Sequence, residues 1–259
     1  MDYNKKQPII EAYVCIQTEG SKAGIPHFLI RTTGCTHRCF FGHGGWCDSW
    51  YSSIHPEKGS WTLNQIRELF DTNPHINHLM ISGGSPTMHP ELLNELVFMA
   101  KGYSIEDSNR NMFITLETEG SHFVETEHKI DLISLSPKFI NSRPIRGTAT
   151  PQGKIVDQKM IDQHEKFRMN LDAMRQMIKY HEDYHLKPVV DRSSNIWESI
   201  DKLIYALSIP NEKVWVMPAG DTLSKLQPNY SYVMEECIRR GYNFTGRAHI
   251  VAYGDKRGV

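Results

Sequence analysis

The sequence predicts an α/β fold with a mainly parallel sheet covered by helices, and two observations predict it. Apolar runs rich in β-branched and aromatic residues alternate along the chain with segments of helical period, the order that βα units require. A length of 259 residues, 39% of them hydrophobic and 10% aromatic, suffices for one such domain with a substantial core, so a single domain over 1–259 is expected.

Strands are expected near 12–17, 26–32, 78–82, 111–117, 131–136, 187–191, 212–217 and 247–253, each a short run of β-formers bounded by turn residues. Helices are expected over 62–71, where Thr62 can serve as N-cap, and over 90–103, 160–183, 195–208 and 230–240, the last stopped by Gly241. The Pro-, Gly- and Thr-containing stretch 141–153 reads as a loop; with the polar helix that follows, it makes 141–185 an expected insertion. No internal repeat or low-complexity tract interrupts the pattern.

The 29 Lys and Arg nearly cancel the 30 Asp and Glu, so no field of one sign draws the chain to nucleic acid or a membrane surface. A small molecule is the expected partner. No apolar run reaches the roughly 18 residues of a membrane helix, and the opening MDYNKKQPII lacks a secretory apolar stretch, so a cytoplasmic protein is expected. Five cysteines, three of them within thirteen positions, argue against a disulfide framework and suit metal in a reducing compartment.

Those three, Cys35, Cys39 and Cys47, sit in GCTHRCFFGHGGWCDS, a glycine-rich loop directly after the apolar strand HFLIRTT. In α/β folds the C-terminal strand edge carries chemistry, and glycines let the loop curl so that three thiolates converge on one centre. Three thiolates on a 4Fe-4S cluster leave one iron open to chelate a ligand. A Cys3His zinc site completed by His37 or His43 fits the spacing equally well, and the spacing does not choose between them. Cys15, alternating with Val14 and Ile16, and Cys237, on a helix, read as small core hydrophobes.

Further on, the strand HLMI runs into SGGSPTMHPELLNEL, a glycine pair at a strand end where bare backbone can approach a ligand, followed by a proline that helps open the next helix. One βα unit after the cysteine loop, this turn resembles the Gly-Gly-Glu-Pro motif of radical S-adenosylmethionine (SAM) enzymes. More narrowly, the chain resembles the 7-carboxy-7-deazaguanine synthase family nearly end to end. The segments that carry the likeness are IQTEGSKAGIPHFLIRTTGC, WCDS, LETEG, LSPK, VWVMPAG and the ending RAHIVAYGDKRGV.

The resemblance implies an incomplete (β/α) barrel of the radical SAM type, with Cys35, Cys39 and Cys47 on a 4Fe-4S cluster. It implies SAM held by Trp46 against the adenine, by Gly83, Gly84 and Ser85 at the methionine amino group, and by Glu117, Thr118, Ser136 and Lys138 on the ribose and carboxylate sides, with Met217 and Pro218 contributed by a late strand. It puts Gln17, Glu19, Gly20, Arg31 and the C-terminal carboxylate of Val259 on the substrate, and Ser49 on Mg2+. The implied reaction begins with electron transfer from the cluster to SAM. A 5′-deoxyadenosyl radical then takes hydrogen from 6-carboxy-5,6,7,8-tetrahydropterin, which contracts to 7-carboxy-7-deazaguanine and releases ammonia. An electron donor such as flavodoxin and a homodimeric state are implied as well. The residue chemistry suits these roles: a carboxylated pterin needs a cationic fork, which Arg31 offers, and partners for its ring N–H groups, which Gln17 and Glu19 offer.

Four departures stand out. The cysteines are spaced C-x3-C-x7-C where most radical SAM enzymes have C-x3-C-x2-C. Ser85 stands where the family has glutamate, which removes a charge-assisted hydrogen bond of roughly 1.5 to 3 kcal/mol unless Glu117 or Glu119 compensates. Ser49 replaces threonine but keeps the hydroxyl. A C-terminal His-Lys pair found in some relatives is absent, with His249 or Tyr253 as stand-ins. Two alternatives therefore stay open: a different radical SAM activity, such as an activating enzyme or a modified-pterin synthase, and a non-catalytic metal-binding regulatory relative.

Overall fold

A computed structural model describes residues 2–106, 112–192, 195–254 and 256–259. Residue 111, the first of the expected fourth strand, lies outside them. The larger sheet runs in the order β1 (Ile9–Ile16), β2 (Pro26–Thr32), β3 (His78–Gly83), β4 (Phe113–Thr118), β5 (Leu132–Leu135) and β6 (Tyr184–Leu186). Strand β1 is antiparallel to β2, and every later pair is parallel. The parallel strands are nearly continuous apolar runs because helices cover them; Phe28, Ile30, Leu79, Ile81, Ile114, Leu116, Ile133 and Leu135 are all fully buried in one core.

A second, all-parallel sheet holds β7 (Val189–Val190), β8 (Trp215–Pro218) and β9 (Asn243–Phe244). Lys187 and Pro188 separate β6 from β7: the Lys187 N–H donates to Leu135 O (2.6 Å), while Pro188 O accepts from the Met217 N–H (2.9 Å). One extended segment thus faces β5 with its first half and β8 with its second.

The helices are α1 (Trp50–Ser53), α2 (Leu63–Asp71), α3 (Pro90–Glu106), α4 (Gln158–Phe167), α5 (Leu171–Tyr180), α6 (Trp197–Leu207), α7 (Leu223–Arg240) and α8 (Ala248–Tyr253). Helix α2 illustrates the local logic. Thr62 and Gln65 form a reciprocal capping box, and Leu63, Ile66 and Phe70 recur at helical spacing to present one fully buried face.

The expected strands 187–191 and 212–217 are shorter, at Val189–Val190 and Trp215–Pro218, and four further elements differ from expectation. The expected helix 160–183 is two helices, because Asn170 leaves the helix to cap α5 by accepting from the Ala173 N–H (3.1 Å), and the segment's end turns into β6. Helix α7 starts five residues before Pro228 and absorbs it near its N-terminal end. Strand β1 begins three residues earlier than expected, at Ile9. The expected last strand, 247–253, is instead α8, with β9 lying just before it. Ile250 alone of its final four residues is buried while Val251, Ala252 and Tyr253 face outward, a one-sided pattern that alternation in a strand cannot produce. No helix among the described residues is long and apolar enough to cross a membrane.

Candidate active site

The C-terminal ends of the parallel strands open onto a cavity of about 620 Å³ that residues of both sheets and the chain's end line. Cys35, Cys39 and Cys47 all border it. The long gap between the second and third cysteines folds into a small hairpin: Phe40 bridges Trp46, the Phe41 N–H donates to Gly45 O (2.8 Å), and the Cys47 N–H donates to Cys39 O (3.1 Å). Gly45, at φ 86°, supplies the left-handed residue that this turn needs. The extra residues are therefore looped out, and Cys39 and Cys47 face each other across the hairpin. The His37 N–H donates to Cys35 Sγ (3.3 Å), the kind of backbone bond that supports a metal-bound thiolate.

Burial pushes the Cys35 thiol well above its usual range, with the Glu119 charge adding to it, and burial likewise raises Cys39 and Cys47. A bound cation is what would convert them to thiolates. His43 is exposed and does not border the cavity, so it cannot complete a zinc site there. Among the described residues, the Cys, His, Asp and Glu trio with ligand atoms all within 4.8 Å of one another is Glu19, Asp48 and His249, not the cysteines. The fourth cysteine on this wall is Cys15, half-buried, with its thiol raised to about 11 by burial and its sulfur 3.7 Å from His27 Nε2. It is not the core residue its sequence suggests, because its strand faces the cavity on that side. Cys237 is a core residue.

The glycine turn packs directly on the cysteine loop: the Gly84 N–H donates to Thr32 O (3.1 Å) and the Ser85 N–H to Gly34 O (2.8 Å). Gly83 and Gly84 border the cavity, whereas Ser85 is fully buried behind them and donates its hydroxyl to Glu119 Oε1 at 2.6 Å. Trp46, Glu117, Thr118, Ser136, Lys138 and Met217 border the cavity too; Pro218 does not. Trp46 packs against Phe40 with tilted rings (centroids 4.8 Å apart) and donates to Ala149 O (3.1 Å). Lys138 Nζ donates to Ser136 O (2.7 Å) and Oγ (2.8 Å).

The expected substrate residues Gln17, Glu19, Arg31 and Val259 converge on the same space. Gly20 is set back from it, packed so tightly that a Cβ would meet His185 Cε1 at 2.7 Å. Arg31 donates to Ser49 Oγ (3.0 Å) and pairs with Glu11 (3.4 Å). The chain's end is tied over the cavity mouth by Arg257, stacked on Tyr51 (3.5 Å) and paired with Glu57 (2.9 Å).

Sequence reading missed the charged floor. Lys187, only 2% exposed, donates to Glu19 Oε2 (2.6 Å) and to Glu117; Arg247 pairs with Glu19 Oε1 (3.1 Å) and with Asp48. Burial opposes charge at Glu19, but Lys187, Arg247 and His249 hold its carboxyl at about 2; likewise Glu117 and Glu19 raise the Lys187 ammonium against burial. His249, bonded to Thr18 Oγ1 (2.6 Å), borders the cavity, whereas Tyr253 is exposed outside it. The one available signal was Lys187 itself, a lysine interrupting the apolar run around 186–190.

A parallel sheet whose strand ends present a three-cysteine loop and a glycine turn to one large cavity has the layout of an α/β enzyme site. No family model matches the chain. It is similar to the 7-carboxy-7-deazaguanine synthases of Rhodopirellula baltica (31% identical over 254 residues, 97% of this chain and 88% of that one) and Halobacterium salinarum (30% over 257 residues, 96% and 91%). The crystal structure of QueE from Escherichia coli superimposes with a TM-score of 0.59 over 93% of each chain at 18% identity, a likeness of fold. The chain belongs to the 7-carboxy-7-deazaguanine synthase family.

Proposed function

We propose that this chain converts 6-carboxy-5,6,7,8-tetrahydropterin to 7-carboxy-7-deazaguanine with release of ammonia. The observation that carries the reading is that the three cysteines, the glycine turn, Arg31 and the paired Glu19 share one cavity. The two sheets act together as an incomplete (β/α) barrel in a single domain. Cys35, Cys39 and Cys47 would hold a 4Fe-4S cluster, which together with SAM would supply one-electron reduction and hydrogen abstraction, chemistry that no side chain offers.

The chain's own residues bind and orient. Trp46 takes the adenine; Gly83, Gly84 and Ser85 lie on the methionine side, Glu117, Thr118, Ser136 and Lys138 hold the ribose and carboxylate, and Met217 and Pro218 support them from β8. The Arg31 guanidinium forks the substrate carboxylate. Glu19 stays ionised because Lys187 and Arg247 flank it, and its remaining lone pairs accept ring N–H groups beside the Gln17 amide. Gly20 gives this segment its close packing, and the Val259 carboxylate closes the substrate's far side. The Ser49 hydroxyl oxygen, with the Asp48 carboxylate adjacent, would be offered to Mg2+ shared with substrate oxygens once the Arg31 guanidinium turns to the substrate. The protein works in the cytoplasm as a homodimer, reduced by a donor such as flavodoxin.

Anaerobic turnover of the iron-reconstituted protein with SAM, Mg2+, reductant and the carboxypterin, read by product mass, tests this. Deoxyadenosine without the deazaguanine would reject the substrate. Neither product, with zinc in place of iron, would reject the class.

A further inference from the structure

The geometry points to Glu119 as the group that receives the α-ammonium of the amino-acid-bearing ligand, a role that the motif position, Ser85, cannot fill alone; this rests on the reading above. Glu119 borders the cavity yet is 5% exposed. Its Oε1 accepts from Ser85 Oγ (2.6 Å) and from the Ser121 hydroxyl. Its Oε2 is buried with no hydrogen-bond partner, and His37 Nδ1 stands 3.9 Å from Oε1, beyond bonding distance. A buried carboxylate oxygen left bare costs a full desolvation penalty unless a donor arrives with the ligand.

The donor it suits is a primary ammonium. The two hydroxyls on Oε1 fix the carboxylate's orientation and leave Oε2 as the free acceptor. Lys138 borders the same cavity and can take a ligand carboxylate, so the pair presents opposite charges to the two ends of a zwitterion. A neutral Ser85 is then no loss of function: the charge has moved from the glycine turn to the loop after β4, and Ser85 has become the residue that positions it.

The test is calorimetric binding of S-adenosyl-L-homocysteine, and of its desamino analogue, to the iron-reconstituted protein. Glu119→Gln is expected to weaken the amino ligand roughly 10- to 100-fold and leave the desamino ligand unchanged, with iron content and melting temperature retained. Glu119→Asp, which keeps the charge but withdraws it, is expected to weaken the amino ligand alone. Equal losses on both ligands, no loss on either, or equal binding of both by the wild type would overturn the assignment. Wild-type protein that holds iron but binds neither ligand would overturn the functional reading along with it, whereas tight binding that Glu119→Gln leaves intact would overturn only this inference.

Discussion

Lys187 and Glu19, 168 positions apart, meet in the wall of the cavity through a 2.6 Å hydrogen bond from the buried ammonium to Oε2. Removing one partner of a buried ion pair leaves an uncompensated charge. Lys187→Ala is therefore expected to destabilise the protein by about 3 to 5 kcal/mol, since Glu19 and Glu117 lose their shared cation. Urea unfolding measures it. A loss under about 1 kcal/mol would mean that the pair is not closed off from solvent.

Cysteine replacement separates the four cavity cysteines. Alanine at Cys35, Cys39 or Cys47 is expected to reduce bound iron and abolish turnover, while Cys15→Ala keeps the iron content of the wild type. Iron-to-protein ratio after anaerobic reconstitution decides it, and an iron-deficient Cys15→Ala would put that thiol among the ligands.

Acid should unfold the protein earlier than its carboxylates alone require. Burial holds the imidazoles of His164 and His185 down at about 3, so both are neutral in the folded chain below the pH at which the unfolded chain protonates them. Between about pH 6.5 and 3 the unfolded state binds more protons, so stability is full above that window and falls as pH drops through it, by about 1.4 kcal/mol per pH unit for each such histidine. Denaturant midpoints taken from pH 7 to 4 should decline steadily. A flat profile would show that these rings protonate without unfolding.

At Gly84 an added Cβ would collide with the carbonyls of Gly34 and Ser52, backbone that cannot swing aside. Gly84→Ala is expected to push the glycine turn off the cysteine loop, lowering iron retention and stability together. A variant with full iron content and an unchanged melting temperature would contradict this contact.

Much of the site was legible because its signals are local. Cys35, Cys39 and Cys47 lie on one loop, and Gly83 and Gly84 sit at a strand end, so neighbouring residues alone suggest their use. The charged floor was not legible. Arg247 reaches Glu19 across 228 positions, and no spacing rule links such residues before the strands are placed. The two-residue strand β9 was equally hidden, since its length is set by where the neighbouring β8 passes rather than by its own β propensity.

By itself the sequence determined the alternation of strands and helices, and with it the parallel sheet, because hydrophobic period and turn residues act within a few positions. It also determined that three thiols and a bare glycine turn follow successive parallel strands. Only the tertiary structure decided that the seven-residue gap closes as a hairpin bringing Cys39 opposite Cys47, that Cys15 faces the cavity, and that Ser85 leans on Glu119. Those outcomes depend on which groups are desolvated together, a property of the packed chain rather than of any segment in it.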